Sequence, residues 1–229
     1  GLFNFVLFFF KYKTNRELIK ILNKEIIDLK KEIDKNYNDI LNNYFRYHPV
    51  EIEHDLVIDT DNPVAEYSLD HTMPSGTAQD NTLCRNFVFA CEKYFKRKVS
   101  YLDLGCSGGG LVRNFLEYKN FSIGVEGSNY SKLKGRAEWS RIPKHLFTSD
   151  ITKPFNIKSL KNNNNFKFDI IGAWEVMEHL PEESLQYFFK NVCNHLSKDG
   201  IFLASVATFP LPHHICLHDE EWWIKTFAE

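Results

Sequence analysis

The stretch YLDLGCSGGG, from Tyr101 to Gly110, decides the fold. It is an apolar run that ends at an acid and then turns into glycines. Such a run predicts a buried strand followed by a tight turn, because glycine adopts backbone conformations that other residues avoid. The apolar spacing of Gly110–Tyr118 then predicts a helix. The sequence therefore predicts a strand–turn–helix unit whose backbone approaches a ligand closely.

Outward from this unit, strands and helices alternate. The predicted strands are Val99–Leu104, Phe121–Glu126, His145–Ser149, Phe168–Trp174 and Ile201–Val206, and the predicted helices are residues 81–97, Gly110–Tyr118, Tyr130–Trp139 and Glu182–Leu196. This alternation indicates a mostly parallel sheet with helices on both faces. The predicted fold class is therefore α/β, doubly wound and Rossmann-like, with an N-terminal helical extension.

Three parts are predicted along the chain. Residues 1–45 hold the apolar segment GLFNFVLFFF and a long helix, residues 46–98 form an irregular connector and cap, and residues 99–229 form the α/β domain. The apolar segment is shorter than the roughly 20 residues that span a bilayer. We interpret it as a strand or helix packed on the domain, with membrane contact by an amphipathic anchor as the alternative.

The long helix, predicted over residues 15–45, carries a repeating apolar pattern. Its seam positions are Leu22, Ile26, Leu29, Ile33 and Ile40, with Asn36 between the last two. A seam of about three heptads indicates a short coiled coil. An amphipathic helix that lies on its own domain fits the pattern equally well. The first interpretation predicts a homo-oligomer that forms through this helix.

Charge and cysteine content exclude several classes of protein. The formal net charge is -2, so the sequence does not predict general binding to nucleic acid. The five cysteines are scattered and form no C-x-x-C pair, which argues against a zinc knuckle or a disulfide framework. The sequence therefore predicts reduced thiols in a cytoplasmic protein.

Three predicted strands are each followed or closed by an acid. Asp103 precedes the glycines, where it would repel a pyrophosphate but attract an amino group, and Ser107 replaces a glycine of the dinucleotide fingerprint. Glu126 stands where a carboxylate accepts hydrogen bonds from ribose hydroxyls. Asp150 suits an adenine amine, with Ile151 beside it as an apolar contact. Together these residues predict a site for an adenosine that carries an amino-acid tail.

Over residues 99–207 the chain resembles the class I S-adenosylmethionine-dependent methyltransferases. The resemblance rests on four motifs in the same order as in that family: YLDLGCSGGG, IGVEGS, TSDIT and FDIIGAWEVMEHL. DHTMPSGTAQDN, RAEWSRIP and EEWW are similar to uncharacterised methyltransferases associated with surface-glycan biosynthesis. The resemblance implies S-adenosylmethionine as cofactor. The residues implied to bind it are Asp103, Gly105, Cys106, Ser107, Gly109, Glu126, Gly127, Asp150, Ile151 and Trp174.

In this family the segment after the fourth strand lines the methyl-transfer site. The resemblance implies catalytic roles for Glu175, Glu178 and His179, with His179 as the base that takes a proton from an attacking hydroxyl; the alternative is that these residues only shape the loop. His214 and Trp222 are expected to contact the acceptor. The predicted reaction is O-methylation of a small-molecule or glycan or lipid-linked acceptor, without a metal.

Further expectations concern the neighbouring residues. Trp223 is predicted to belong to the core, and His213 and His218 to the surface. The family's sheet has seven strands, and the last two have no counterpart here. We expect either a fragment or a sheet edge completed by the N-terminal segment or a partner.

Three rival functions follow from the same residues. One is a metal-dependent RNA 3′-terminal 2′-O-methyltransferase, whose metal would be held by Glu175, Glu178, His179 and a later histidine, although the net charge of -2 opposes RNA binding. Another is an NAD-dependent oxidoreductase, which the acid before the glycines disfavours. The last is a non-catalytic protein of the same fold that acts in assembly.

Overall fold

The computed structural model describes residues 5–7, 24–48, 50–66 and 81–228. Contacts divide the chain into two compact units, one made of Gly1–Phe9 with Glu51–Glu229 and the other of Phe10–Val50. The division predicted at residues 45 and 98 stays a prediction. None of the described helices combines the length and the apolar character needed to cross a membrane.

The secondary structure alternates between strands and helices. The strands are β1 (Phe5–Leu7), β2 (Leu56–Thr60), β3 (Ser100–Leu104), β4 (Phe121–Glu126), β5 (Leu146–Thr148), β6 (Phe155–Ser159), β7 (Phe168–Trp174) and β8 (Leu196–Ser205). The helices are α1 (Lys24–Tyr47), α2 (Arg85–Phe95), α3 (Gly110–Glu117), α4 (Tyr130–Leu133), α5 (Leu185–His195) and α6 (Glu220–Ala228). Short 3₁₀ turns occur at Ala137–Ser140, Pro143–His145, Met177–His179 and Glu182–Ser184.

Six strands form one sheet in the order β1-β8-β7-β3-β4-β5, and every neighbouring pair is parallel. This arrangement confirms the predicted α/β Rossmann-like class. Because all strands run the same way, their carboxyl ends meet at one edge of the sheet. The turns that follow β3, β4, β5, β7 and β8 therefore lie at that edge.

Two glycines flank Asp103 in the sheet. The register pairs Asp103 with Gly124 of β4 on one side and with Gly172 of β7 on the other. A Cβ at Gly172 would lie 2.3 Å from the Tyr101 hydroxyl, and one at Gly124 would lie 2.7 Å from Cys106 Sγ. The sequence therefore needs glycine at both positions to let these side chains approach the sheet beside Asp103.

The outer edge of the sheet is formed by the apolar N-terminal segment. Phe5, Val6 and Leu7 pair in parallel with Phe202, Leu203 and Ala204 of β8. The sequence analysis expected a fragment or an edge completed by the N-terminal segment or by a partner. In the described residues, the N-terminal segment completes the edge. The pairing also agrees with the interpretation of the segment as a strand packed on the domain.

The prediction of an irregular connector was wrong for residues 56–60. These residues form β2, which pairs antiparallel with β6 in a separate two-stranded sheet. β6 alternates apolar and polar residues, whereas β2 begins with three apolar residues, and Leu56 and Ile157 are buried. The pairing escaped prediction because the strands are far apart in sequence and contain Asp59 and Asn156, which are rare in strands.

Several predicted boundaries also differ from the structure. The helix predicted over Tyr130–Trp139 ends at Leu133, because Gly135 adopts a φ of +56° and a 3₁₀ turn follows. The helix predicted from Glu182 starts at Leu185, after a 3₁₀ turn. β8 begins at Leu196, before the predicted start at Ile201, and is irregular where it first pairs with β7.

Two apolar residues of the predicted seam on helix α1, in the second compact unit, are exposed to solvent. Ile33 is 58% exposed and Ile40 is 67% exposed. Leu22 lies outside the described residues, and the side chains of Ile26 and Leu29 are not described. A coiled coil through α1 stays a prediction.

A buried network of four charges joins α2, α3 and the turn at Ala137–Ser140. Glu117 accepts hydrogen bonds from both Arg85 and Arg113, and Arg113 also pairs with Glu138 at 3.1 Å. All four side chains are at most 4% exposed. The two positive and two negative charges balance, so the network fixes the helix that follows the glycine turn.

Candidate functional site

Acids from four turns converge on the carboxyl edge of the sheet. They are Asp103 at the end of β3, Glu126 at the end of β4, Asp150 after β5 and Glu175 after β7. The first three are buried and Glu175 is exposed. The arrangement agrees with the predicted order of acids along the strands, and their roles in cofactor binding stay predictions.

Asp103 is the most deeply enclosed of these acids, at 3% exposure. Its Oδ1 accepts a hydrogen bond of 2.9 Å from the Tyr101 hydroxyl, which in turn accepts one of 2.9 Å from Trp174 Nε1. The pKa of Asp103 is raised to about 7, mainly by burial, with the Tyr101 hydrogen bond opposing the rise and the nearby Glu126 adding to it. The site thus holds an acid whose negative charge lacks a cationic partner among the described residues.

The glycine turn after β3 is tight and closely packed. Gly105 has a φ of +79°, and a Cβ there would lie 2.5 Å from Val176 Cγ2. Gly109 has a φ of +83° and precedes the first turn of α3. Ser107 also has a positive φ, of 46°, which is costly for a residue with a side chain. The turn therefore stores strain at the position where the sequence predicts contact with a ligand.

Glu126 ties this turn to the next strand. Its carboxylate accepts hydrogen bonds from the backbone amides of Ser107 at 2.7 Å and Ser128 at 3.2 Å. The backbone amides of Gly105 and Cys106 both donate to the carbonyl oxygen of Val125. Burial raises the pKa of the Cys106 thiol well above its ordinary value. Glu126 is thus oriented toward the glycine turn, where its predicted ribose contact would be made.

The connector after β2 lies over the turns that follow β4 and β5. Ala65 donates its amide to the carbonyl of Gly127 at 2.8 Å, and Asp150 donates its amide to the carbonyl of Asn62 at 2.9 Å. The Asp150 carboxylate accepts two hydrogen bonds from Thr152. Ile151 is buried beside it. Most of the predicted cap motif DHTMPSGTAQDN, residues 70–80, lies outside the described residues.

Glu178 connects the turns after β7 and β8. Its side chain is fully buried, Oε1 accepts the amide of Ala207 at 3.1 Å, and its carbonyl accepts the amides of Ile215 and Cys216. Burial raises its pKa to about 7, and Glu175 adds to the rise. Glu175 has a φ of 53°, which is strained for this residue. Glu178 is therefore built into the loop, in line with the alternative that it shapes the site.

Three histidines meet beside this loop, and we call them the histidine cluster: His179, His213 and His214. The His179 ring stacks on His213 at 5.0 Å between centroids and meets His214 edge-on at 5.1 Å. All three side chains are half-buried. His213, predicted at the surface, is half-buried, because the turn after β8 folds back onto His179.

Hydrogen bonds fix two of these rings. Nδ1 of His179 contacts the carbonyl oxygen of His213 at 3.1 Å, and Nδ1 of His214 contacts the carbonyl oxygen of Phe209 at 2.8 Å. A carbonyl only accepts, so each Nδ1 carries a proton, and in the neutral imidazole each Nε2 keeps a lone pair. The pKa of His179 is lowered by burial and then by the two neighbouring imidazoles.

The two tryptophans of EEWW have different surroundings. Trp223 is fully buried, which confirms its predicted place in the core. Trp222 is half-buried and stacks on His218 at 3.6 Å between centroids. His218, predicted at the surface, is half-buried, and its Nε2 contacts Glu182 at 2.8 Å. The role of Trp222 toward an acceptor stays a prediction.

Two features of the site were missed by the sequence analysis. Trp174 was expected to touch the cofactor, but its indole nitrogen is engaged by Tyr101, a residue that had no predicted role. The histidine cluster contains neither Glu175 nor Glu178, so the described residues do not assemble the four-ligand metal set of the RNA-methyltransferase alternative. Two consecutive histidines, His213 and His214, are the part of the cluster that the sequence shows directly. Their position in the sequence does not indicate that His179 lies beside them.

Comparison with protein families identifies one matching domain. A family model described as "Methyltransferase domain" matches residues 76–225, which is more than half of the chain. No curated protein matches the chain.

Solved structures give a second comparison. An S-adenosylmethionine-dependent methyltransferase from Clostridium acetobutylicum is 23% identical, with 58% of this chain and 52% of that chain covered and a TM-score of 0.40. A TehB-like SAM-dependent methyltransferase from Corynebacterium glutamicum is 14% identical, with coverages of 72% and 80% and a TM-score of 0.45. CalS10, an amino pentose methyltransferase from Micromonospora echinaspora, is 17% identical, with coverages of 55% and 50% and a TM-score of 0.43. The chain thus spans only about half of the length of the Clostridium protein.

Proposed function

Because the chain belongs to the class I S-adenosylmethionine-dependent methyltransferases, we propose that it transfers a methyl group from S-adenosylmethionine to an oxygen atom of a small-molecule or glycan acceptor. The observation that carries this proposal is the buried Asp103 carboxyl at the glycine turn. Glu126 and Asp150 lie at the neighbouring strand ends on the same side of the sheet. The chemical nature of the methyl acceptor is the more specific part of this proposal.

The described residues fit the cofactor. Asp103 is a buried acid that forms no ion pair with a described residue, and it therefore suits the ammonium group of the cofactor's amino-acid tail. The turn at Gly105 has no side chain that would keep the cofactor away from the backbone. Glu126 would accept hydrogen bonds from the ribose hydroxyls, and Asp150 from the adenine amine.

The mechanism that we propose assigns the protein mainly a positioning role. S-adenosylmethionine supplies an activated methyl group on a sulfonium sulfur. Asp103 would hold the amino-acid end of the donor and Asp150 its adenine end, with Glu126 on the ribose between them. The buried surroundings of the strand ends would exclude water from the donor. The loop that bears His179 presents an imidazole lone pair on the acceptor side, where a hydroxyl must give up its proton. A nitrogen acceptor would need no such group, and this difference favours oxygen.

Other parts of the proposal concern the setting of the enzyme. Trp222 and His214 would contact the acceptor, since sugar rings stack on aromatic side chains. All five cysteines are free, which is typical of a reducing compartment and supports a cytoplasmic location. The exposed Ile33 and Ile40 support self-association through α1.

Replacing Glu126 by alanine tests the cofactor pocket. We expect titration calorimetry to show micromolar binding of S-adenosylhomocysteine to the wild type, and binding at least about tenfold weaker for Glu126→Ala, or about 1.4 kcal/mol. The loss follows from the missing acceptor for the ribose hydroxyls. Glu53→Ala, an exposed acid outside the strand ends, is the control and should leave the affinity unchanged. Failure of the wild type to bind would refute the proposed function.

Binding of S-adenosylhomocysteine should also depend on pH through Asp103. The cofactor's ammonium group needs the ionised carboxylate, whereas the pKa of Asp103 is raised to about 7 by burial, with Glu126 adding to the rise and Tyr101 opposing it. Binding therefore releases a proton, and affinity should fall by up to about tenfold per pH unit below pH 7 and level off above it. Calorimetry between pH 5.5 and pH 8 in two buffers of different ionisation enthalpy measures this release. A flat profile in the wild type would contradict the assignment.

A further inference from the structure

The histidine cluster has no role in cofactor binding, and its geometry points to a ligand of its own. One ring nitrogen from each of His179, His213 and His214 lies within 4.8 Å of the other two. The residues come from two separate loops, and the contacts of Glu178 with Ala207, Ile215 and Cys216 hold these loops together. We propose that the histidine cluster binds a divalent transition-metal ion of the zinc class.

Ring orientation supports this assignment. A histidine that binds a metal usually donates its other ring N–H to a carbonyl or carboxylate, which fixes the ring and its tautomer. His179 and His214 each make such a bond, to the carbonyl oxygens of His213 and Phe209. Both therefore offer an Nε2 lone pair, the atom that binds the metal in this arrangement.

The donor set selects the kind of metal. Three imidazoles suit Zn²⁺, Co²⁺, Ni²⁺ or Cu²⁺, whereas Mg²⁺ and Ca²⁺ prefer oxygen ligands. Zinc–nitrogen bonds of 2.0–2.1 Å in a tetrahedron place the nitrogens about 3.4 Å apart. The three ring nitrogens lie within 4.8 Å of one another, so small loop adjustments and ring rotations would complete the site. A fourth position then remains for water or an acceptor oxygen.

The charges around the cluster agree with a bound cation. None of the three histidines forms an ion pair with a described carboxylate, while Glu175 lies close enough to His179 to act on it electrostatically.

A neighbouring group of possible ligands is a weaker candidate. Glu182, Cys216 and His218 also lie close together. However, Nε2 of His218 already contacts Glu182 at 2.8 Å, and its ring is stacked on Trp222. His218 is therefore satisfied without a metal, and we assign the ion to the histidine cluster.

The role of the metal, as distinct from its binding, rests on the proposed function. A hydroxyl that binds to such an ion loses its proton to solvent more readily. In the metal-bound protein the ion would thus activate the acceptor oxygen. His179 would then bind the metal in place of the base role that the proposed mechanism gives it.

Metal titration of tag-free protein, stripped with a chelator, tests the proposal. We expect about one equivalent of Zn²⁺ to bind with micromolar or tighter affinity, measured by competition with a chromogenic chelator, and Co²⁺ to give the visible absorption of a nitrogen-ligated tetrahedral site. His213→Gln and His214→Asn should each weaken binding at least about tenfold. Circular dichroism and Tm show whether each variant folds, and two variants keep the test valid if one does not.

His48→Gln is the matched control. Its Nδ1 makes the same kind of bond, to the carbonyl of Tyr44 at 2.7 Å, but His48 belongs to none of the described groups of possible ligands. Its zinc affinity should equal that of the wild type. Absence of zinc binding tighter than about millimolar, or equal binding by both cluster variants, would overturn the proposal. Loss of binding in His218→Gln alone would also overturn it and place the ion in the other group.

The same samples separate this inference from the proposed function. S-adenosylhomocysteine is titrated into the metal-free and the zinc-loaded protein. Zinc binding without binding of S-adenosylhomocysteine leaves the metal site standing and defeats the methyltransferase proposal. The reverse result defeats only the metal site.

Discussion

Asp103→Asn will weaken the binding of S-adenosylhomocysteine by about 100-fold, equal to about 2.8 kcal/mol, and will stabilise the ligand-free protein. Asparagine keeps the shape of the side chain and an oxygen that accepts the Tyr101 hydrogen bond, but it removes the charge that pairs with the ligand's ammonium group. Calorimetry measures the affinity, and thermal unfolding measures the stability.

The sign of the stability change follows from the pKa. The folded protein raises the pKa of Asp103 from 3.8 to about 7, mainly through burial. Since the folded state binds the proton more tightly, this carboxyl lowers stability as pH rises from 3.8 to about 7. The gain in Tm for Asp103→Asn should therefore be largest at pH 8 and vanish in acid.

Tyr101→Phe is the matched control for Asp103. It deletes the hydrogen bond to the carboxylate but keeps the charge, so it should cost about 1–3 kcal/mol of stability with a much smaller loss of affinity. Asp103→Asn that binds S-adenosylhomocysteine within threefold of wild type would show that the acid does not contact the ligand.

Glu117→Gln will destabilise the fold by about 3–5 kcal/mol. Glu117 is fully buried and accepts hydrogen bonds from Arg85, Arg113 and Asn114. Without its charge, Arg85 loses its ion pair with Glu117, and Arg113 keeps its ion pair with Glu138. The free energy of unfolding, from urea denaturation, measures the loss.

Two further variants make this second prediction specific. Arg85→Met combined with Glu117→Met removes one positive and one negative charge and should recover much of the stability, because Arg113 still faces Glu138. Glu53→Gln breaks the exposed pair with Lys144 and should cost far less than Glu117→Gln, because water screens exposed charges. An equally small cost for Glu117→Gln would mean that water reaches the network.

The central sheet was predictable because its strands carry the strongest patterns. β3, β4 and β7 are apolar runs that end at an acid or a glycine turn, and periodicity locates such runs well. β2 and β6 were missed because each is short and gains its stability from a partner about 100 residues away in sequence. No local pattern records a pairing of that kind.

The candidate site was predictable in the same local sense. Asp103, Glu126 and Asp150 each lie at a strand end, and parallel strands bring those ends together without further information. The histidine cluster depends on how the turn after β8 folds back onto His179, which is a tertiary event. The sequence does not distinguish the four buried charges from ordinary exposed charges on a helix. They become buried only when α2 packs on α3: Arg85, Arg113, Glu117 and Glu138.

The pairing of β1 with β8 also bears on how the protein is made. Phe5 is translated long before Phe202, its partner in the sheet. β3 and β4 are neighbours in sequence and can pair early, but β1 has no docking surface until β8 has left the ribosome. The entropy lost in closing a loop grows only slowly with its length, so the long separation costs little stability. Its main effect is that β1 pairs late. During that interval the apolar segment stays exposed, as a substrate for chaperones and as a risk for aggregation.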